Sequence, residues 1–276
     1  VATLMLSMLL GQQRFHAGSL EIIDTKRATH QATALVYGEL RAASSADLYS
    51  ISDSSIAFRT TTGASHLCAL DSTRAAIVVP STRTTRAAPL STFRALPRAG
   101  DSLLVFDSGE APEPDDDRWH PHVLVADPAG AVCPTRPHGL ASNAIEASGI
   151  AFQVAPPLAG SIVIGVPLRF FRPASYSLYR GTGASWMLGY STCAAGTCTA
   201  RQPLSGPYLP FVSGGEGGVA FSYFDRQGAP TGDRSRVARV DVIARAQSAS
   251  MLEVGPVRGR RYQDSLALTI ALRNGS

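Results

Sequence analysis

No proline occurs in the first 45 residues, and apolar or small side chains recur there every seven positions: Val1, Met8, Phe15, Ile22, Thr29, Val36 and Ala43. Ala32 and Leu40 fill the same face. A narrow stripe of that period and length predicts one continuous helix, ending near the Ser44-Ser45-Ala46-Asp47 stretch. At ~1.5 Å per residue such a helix is roughly 65 Å long. A globular remainder of ~230 residues has a radius of gyration of only about 17 Å, so part of the helix must project. Its start also differs from its continuation. Eight of the first ten residues, VATLMLSMLL, are apolar. The basic segment and small-residue cleavage site of a secretory signal do not flank this run. Ten residues rise ~15 Å, about half of a ~30 Å hydrocarbon core, so the run reads as the tail of a longer apolar helix.

The rest of the chain reads as β-structure. Strands are predicted at SIAFRTT (55–61), SHLCAL (65–70), AAIVVP (75–80), SLLVFD (102–107), HVLVAD (122–127) and GIAFQV (149–154). Further strands are predicted at IVIGVPLRFF (162–171), YSLYR (176–180), SWMLGY (185–190), VAFSYFD (219–225), RVARVDVIAR (236–245) and SLALTIALR (265–273). The last two alternate cleanly: Val240, Val242 and Ala244 oppose Arg239, Asp241 and Arg245, while Leu266, Leu268, Ile270 and Leu272 oppose Ala267, Thr269, Ala271 and Arg273. Segment 81–100 reads as a polar surface excursion, and SGGEGG (213–218) as a flexible connector. The expected fold class is therefore α+β. A long N-terminal helix packs through its second half on a large antiparallel sheet, with residues 265–273 inside that sheet. From Thr25 onward, Ala28, Ala32, Val36 and Leu40 are expected to face the sheet. Residues 1–24 form the projecting assembly or membrane helix, and residues 25–276 the β-rich domain.

Four cysteines permit three pairings. In CAAGTC a short hairpin, with Gly196 supplying the positive φ, sets Cys193 opposite Cys198 within reach of a disulfide. By elimination Cys68 pairs with Cys133. Disulfides imply an oxidising compartment. The net charge of +4 is carried almost wholly by arginine, Lys26 being the single lysine, and it is scattered rather than gathered in one segment.

The layout resembles type IV pilins and type II secretion pseudopilins, most closely their large minor subunits of the J/W type. The resemblance rests on the apolar start grading into QQRFHAGSLEIIDTKRATHQATALVYGELRAAS, on the block SYSLYR…WMLGY…PYLPFV…VAFSYFDRQG, and on the closing pair RVARVDVIARAQS and SLALTIALRN. Roughly residues 65–160 match nothing in that class. The resemblance implies a structural subunit, a minor pilin or pseudopilin, of a pilus-like filament or secretion pseudopilus. It implies partners that are other subunits, met through the helix, and an inner-membrane anchor before assembly at the cell surface or in the periplasm. It further implies that more of the apolar helix precedes Val1. Leu4, Leu6, Leu9, Leu10, Phe15 and Ile22 would then contact other subunits or lipid. The alternative is a secreted or anchored β-rich adhesin or carbohydrate-binding protein, with the helix as a stalk.

Other candidate sites have plainer readings beside them. Asp115, Asp116 and Asp117 offer oxygens to calcium, which some pseudopilins bind, and His120 and His122 share a strand face. Consecutive aspartates lack the alternating spacing of a dedicated cation loop, and the stretch reads as a solvated acidic loop; no metal or other cofactor is expected. Arg258, Arg260 and Arg261 form a compact basic cluster that could meet DNA or another surface ligand, and read as an exposed loop. Tyr176, Tyr179, Trp186, Tyr190, Tyr208 and Tyr223 could line a sugar-binding face, and read as core. No nucleophile elbow, HExxH or supported Cys/His pair occurs, so no enzyme is expected.

Overall fold

The computed structural model of the chain describes residues 2–81, 91–109, 117–133, 147–194, 196–214, 216–252 and 259–273. One helix, α1 (Ala2–Leu40), is followed by β1 (Leu48–Ile51), β2 (Ser55–His66), β3 (Ala69–Leu70), β4 (Ala76–Pro80), β5 (Thr92–Phe93) and β6 (Ser102–Asp107). Next come β7 (Arg118–Leu124), β8 (Ala129–Cys133), β9 (Ala147–Ala155), β10 (Pro167–Arg180) and β11 (Trp186–Ala194). The chain closes with β12 (Thr197–Cys198), β13 (Gln202–Tyr208), β14 (Val219–Phe224), β15 (Arg239–Gln247) and β16 (Gln263–Ala271). The ladders β1–β2, β2–β5, β3–β4, β4–β9, β6–β7, β6–β10, β7–β9, β8–β9, β11–β12, β11–β13, β13–β15, β14–β15 and β15–β16 are antiparallel.

Where one β domain was expected, the chain forms two compact units. The first holds residues 1–59, 174–191 and 200–276; the second holds 60–173 and 192–199. In the first unit β15 lies between β14 and β16, and Tyr208 at the end of β13 pairs with Ala246 of β15. Helix α1 lays Ala28, Ala32, Val36 and Leu40 on this sheet, each 3% exposed or less. Thr25, Thr29 and Thr33 complete the buried stripe, and the hydroxyls of Thr25 and Thr33 donate to the helix carbonyls of Glu21 and Thr29. Small side chains at 28, 29, 32 and 33 let the helix sit low enough for the Tyr208 hydroxyl to donate to the Ala28 carbonyl (2.8 Å). The helix stops at Leu40, short of the expected end. Ala43 is buried beyond it, and Asp47 then accepts from the Ser44 N–H and hydroxyl (2.9 Å each), a capping box that starts a 3-10 turn at Ser45–Asp47.

The C-terminal strand departs from expectation in its lateral position. β16 pairs only with β15, so among the described residues it is an edge strand rather than an interior one. Alternation reports which face is buried and carries no information about neighbours to the side. Ile270 and Leu272 are buried, while Leu266 and Leu268 are half-buried.

The second unit has its own core, in which Leu67, Ile77, Val79, Leu103, Val105, Leu124, Phe152 and Phe170 are buried. There β6 lies between the first half of β10 and β7, and β9 pairs with β4 and β8 and, at its end, β7. Arg172 and Asp101 form a buried bidentate pair (2.7 and 2.6 Å), and Arg172 also donates to the Leu96 carbonyl.

Candidate functional site: the first half of the helix

Along the first turns of α1, side chains from the apolar run meet no other element among the described residues. Leu4, Leu6, Leu9, Leu10 and Phe15 are 73, 59, 55, 45 and 64% exposed. Met5, Met8 and Leu20 are exposed as well. Arg14 is the only charged side chain before Glu21. A bare cylinder of this composition in water forgoes on the order of 10 kcal/mol of apolar burial over eight side chains. Exposure on that scale marks an interaction surface. Among the described residues, no helix is long and apolar enough to cross a membrane.

Ile22 differs from the other five expected assembly residues: it is half-buried. Docking begins ahead of Thr25, because Gly18 is buried and the Glu21 carboxylate accepts from the Ala249 N–H (2.9 Å) and the Ser250 hydroxyl (2.9 Å). Thr29 then donates to Asp264 of β16 (2.7 Å). These polar clamps have no periodic signature, so the sequence carried no sign of them.

Both disulfides are present. Cys193 and Cys198 are directly opposed on β11 and β12 (S–S 2.00 Å), and Cys68 joins Cys133 across 65 positions (S–S 1.91 Å). Asp115 and Asp116 lie outside the described residues. Asp117 is exposed, and no three acidic, histidine or cysteine side chains converge on a cation position among the described residues. His120 and His122 share the inner face of β7. His120 Nε2 lies 3.3 Å from an Asp107 oxygen that also accepts from the Ser161 hydroxyl (2.6 Å). Here the aspartate stands between serine and histidine. Ser161 donates its proton to a carboxylate whose pKa that bond lowers, instead of losing it to an imidazole, so the arrangement does not activate the hydroxyl. His122 is buried, with Nδ1 2.7 Å from the Pro156 carbonyl oxygen, and burial pushes its pKa down.

Arg258 lies outside the described residues; Arg260 and Arg261 are exposed, and Arg261 contacts the Ser248 carbonyl at 3.4 Å. Tyr176, Tyr208 and Tyr223 are core; Tyr179, Trp186 and Tyr190 are half-buried. Burial pushes the Tyr208 hydroxyl up to about 12. The end of SGGEGG, read as flexible, is a packed seam. Gly217 and Gly218 are buried, and a Cβ at Gly218 would meet the Leu209 carbonyl oxygen at 2.3 Å and Tyr208 Cβ at 2.6 Å. Compared with protein-family models, curated proteins and solved structures, the chain gives no match in any of the three.

Proposed function

We propose that the chain is a structural subunit of a pilus-like filament or secretion pseudopilus, in the role of a minor pilin or pseudopilin, and that it works by assembly rather than catalysis. One observation carries the reading. α1 is docked along one half and bare along the other, and the bare half is a mostly apolar surface, Arg14 its single charge before Glu21, with no partner among the described residues. That surface suits the helices of neighbouring subunits after assembly and the inner membrane before it. The disulfides accord with a periplasmic or surface location.

The test removes residues 1–17, cutting ahead of Gly18 so that the Glu21 clamp survives. Full chain and trimmed chain are compared in the cells that make the protein, by membrane fractionation and by recovery in sheared filaments. Circular dichroism and sedimentation of the purified forms accompany this. The full chain is expected in the membrane and filament fractions, and the trimmed chain to be folded, monomeric and absent from both. A trimmed chain that still enters filaments, or a full chain that is monomeric without detergent, would sink the proposal.

A further inference from the structure

We propose that a small cavity beyond the end of β14 binds an oxyanion with the size and charge of inorganic phosphate. The cavity measures about 170 Å³ and is lined by Ser45, Asp225, Arg226, Ser235 and Arg236, among others. No residue of α1 lines it. Small-molecule sites usually offer ~300–1,000 Å³. A space below that range suits an ion of a few heavy atoms and is too small for a sugar chain or a nucleotide.

Both walls are held in shape by their own hydrogen bonds. After β14 the chain turns through residues 225–229. The Asp225 N–H donates to the Ala229 carbonyl (2.9 Å), and the Gly228 N–H donates to the Asp225 carbonyl (3.1 Å). Asp225 Oδ1 accepts from the Gln227 and Ala229 N–H groups (3.0 and 2.9 Å). The facing wall is a 3-10 turn, Arg234–Arg236, capped by Asp233, whose Oδ1 accepts from the Ser235 N–H (2.9 Å) and hydroxyl (2.7 Å). Arg234 Nη1 ties this turn to β1 by donating to the Leu48 carbonyl (2.6 Å). Arg236 Nη2 then joins the two walls at Asp225 Oδ2 (3.0 Å). A site set in advance by such contacts loses little ordering entropy when it binds.

The charge left over is positive. Asp225 is buried, with one oxygen taken by backbone N–H groups and the other by Arg236. Arg236 has a side chain 63% exposed, and a guanidinium with one donor engaged keeps most of its N–H groups. Arg226 is exposed and has no carboxylate partner among the described residues. Ser45 is half-buried, and its hydroxyl makes no hydrogen bond among the described residues. Two guanidinium groups at one small cavity repel each other, and an oxyanion between them turns that repulsion into charge-assisted hydrogen bonds.

The test uses the full chain in non-ionic detergent, with inorganic phosphate as the probe and chloride holding the ionic strength constant. Calorimetric titration and the phosphate-dependent rise in Tm are measured for the parent, Arg226→Gln and Arg118→Gln. Arg118 is an exposed arginine of the other unit. Near-ultraviolet circular dichroism verifies that both variants keep the fold. The parent is expected to bind one phosphate per chain saturably. Arg226→Gln is expected to bind about tenfold more weakly, with a smaller rise in Tm, as loss of a charge-assisted pair predicts. Arg118→Gln is expected to match the parent. Uptake that never saturates, an Arg226→Gln affinity equal to the parent's, or equal weakening by Arg118→Gln overturns the proposal, whatever the fate of the trimmed helix.

Discussion

Gly218→Ala separates two opposite expectations for the SGGEGG stretch by sign. In a flexible connector the substitution stabilises by ~0.4–1 kcal/mol, because alanine restricts the unfolded chain. In the packed seam, the new Cβ would lie 2.3 Å from the Leu209 carbonyl oxygen, 2.6 Å from Tyr208 Cβ and 2.9 Å from the Leu209 nitrogen. Two of these atoms are backbone and the third is the first carbon of a wholly buried side chain, so relief requires the strands to part by about 1 Å. Overpacking of this kind costs ~1–3 kcal/mol. The Leu209 N–H donates to the Arg245 carbonyl (3.0 Å), and the Arg245 N–H donates to the Gly218 carbonyl. Weakening one of these bonds adds ~1 kcal/mol. The expected loss is therefore about 2–4 kcal/mol, or roughly 4–16 °C in Tm at ~2–4 °C per kcal/mol. Gly232→Ala is the control, since its Cβ meets nothing within 4 Å. Urea titrations followed by tryptophan fluorescence and near-ultraviolet circular dichroism report both variants. A Gly218→Ala chain as stable as the parent would refute the seam and restore the flexible reading.

Tyr208→Phe strips the hydroxyl that donates to Ala28 O and lies 2.6 Å from the Ser205 hydroxyl; an expected loss of ~1–3 kcal/mol is measurable by the same titration. Replacing Cys68 and Cys133 by serine should cost about 4 kcal/mol in the chain-entropy model, against about 2 kcal/mol for Cys193 and Cys198, whose loop is far shorter. Paired melts of the two double variants test that order. His122 has a depressed folded pKa, so the folded chain binds fewer protons than the unfolded chain just below the ordinary histidine value. The associated stability is fully present above about pH 6.5 and is lost as pH falls from there through the folded pKa. Melting the parent and a His122→Gln variant across that window should show a slope in the first that flattens in the second; equal slopes would exclude His122 as its source.

The helix and the closing strands were legible because their burial follows the period of the backbone. Ala28, Ala32, Val36 and Leu40 face the sheet, and Val240, Val242 and Ala244 are buried on alternate positions of β15. β13 was not assigned as a strand, since Pro203, Gly206 and Pro207 are turn residues in any local reading. They are tolerated there because β13 meets β15 only at Tyr208 and its ladder with β11 has register shifts. β2 and β10 each run through what looked like two strands and a gap, because Gly63 and Pro173 read locally as strand breakers. The bare helix half was legible from composition. Its true limit at Gly18 was not, because it is set by Glu21 meeting Ala249 and Ser250, more than 220 residues downstream.

That separation has a consequence for synthesis. The docking stripe of α1 emerges first, yet its partners include Tyr208, β15 and Asp264, at separations of 180 and 235 residues for the bonded pairs. At ~5–20 residues per second, a ribosome needs about 10–50 s to deliver them. Throughout that interval the nascent chain holds out an apolar helix with neither half covered. Residues 60–173, by contrast, are contiguous and contain both cysteines of the Cys68–Cys133 bridge. The middle of the chain can therefore build most of its unit, which lacks only residues 192–199, while α1 still waits for partners encoded near the end.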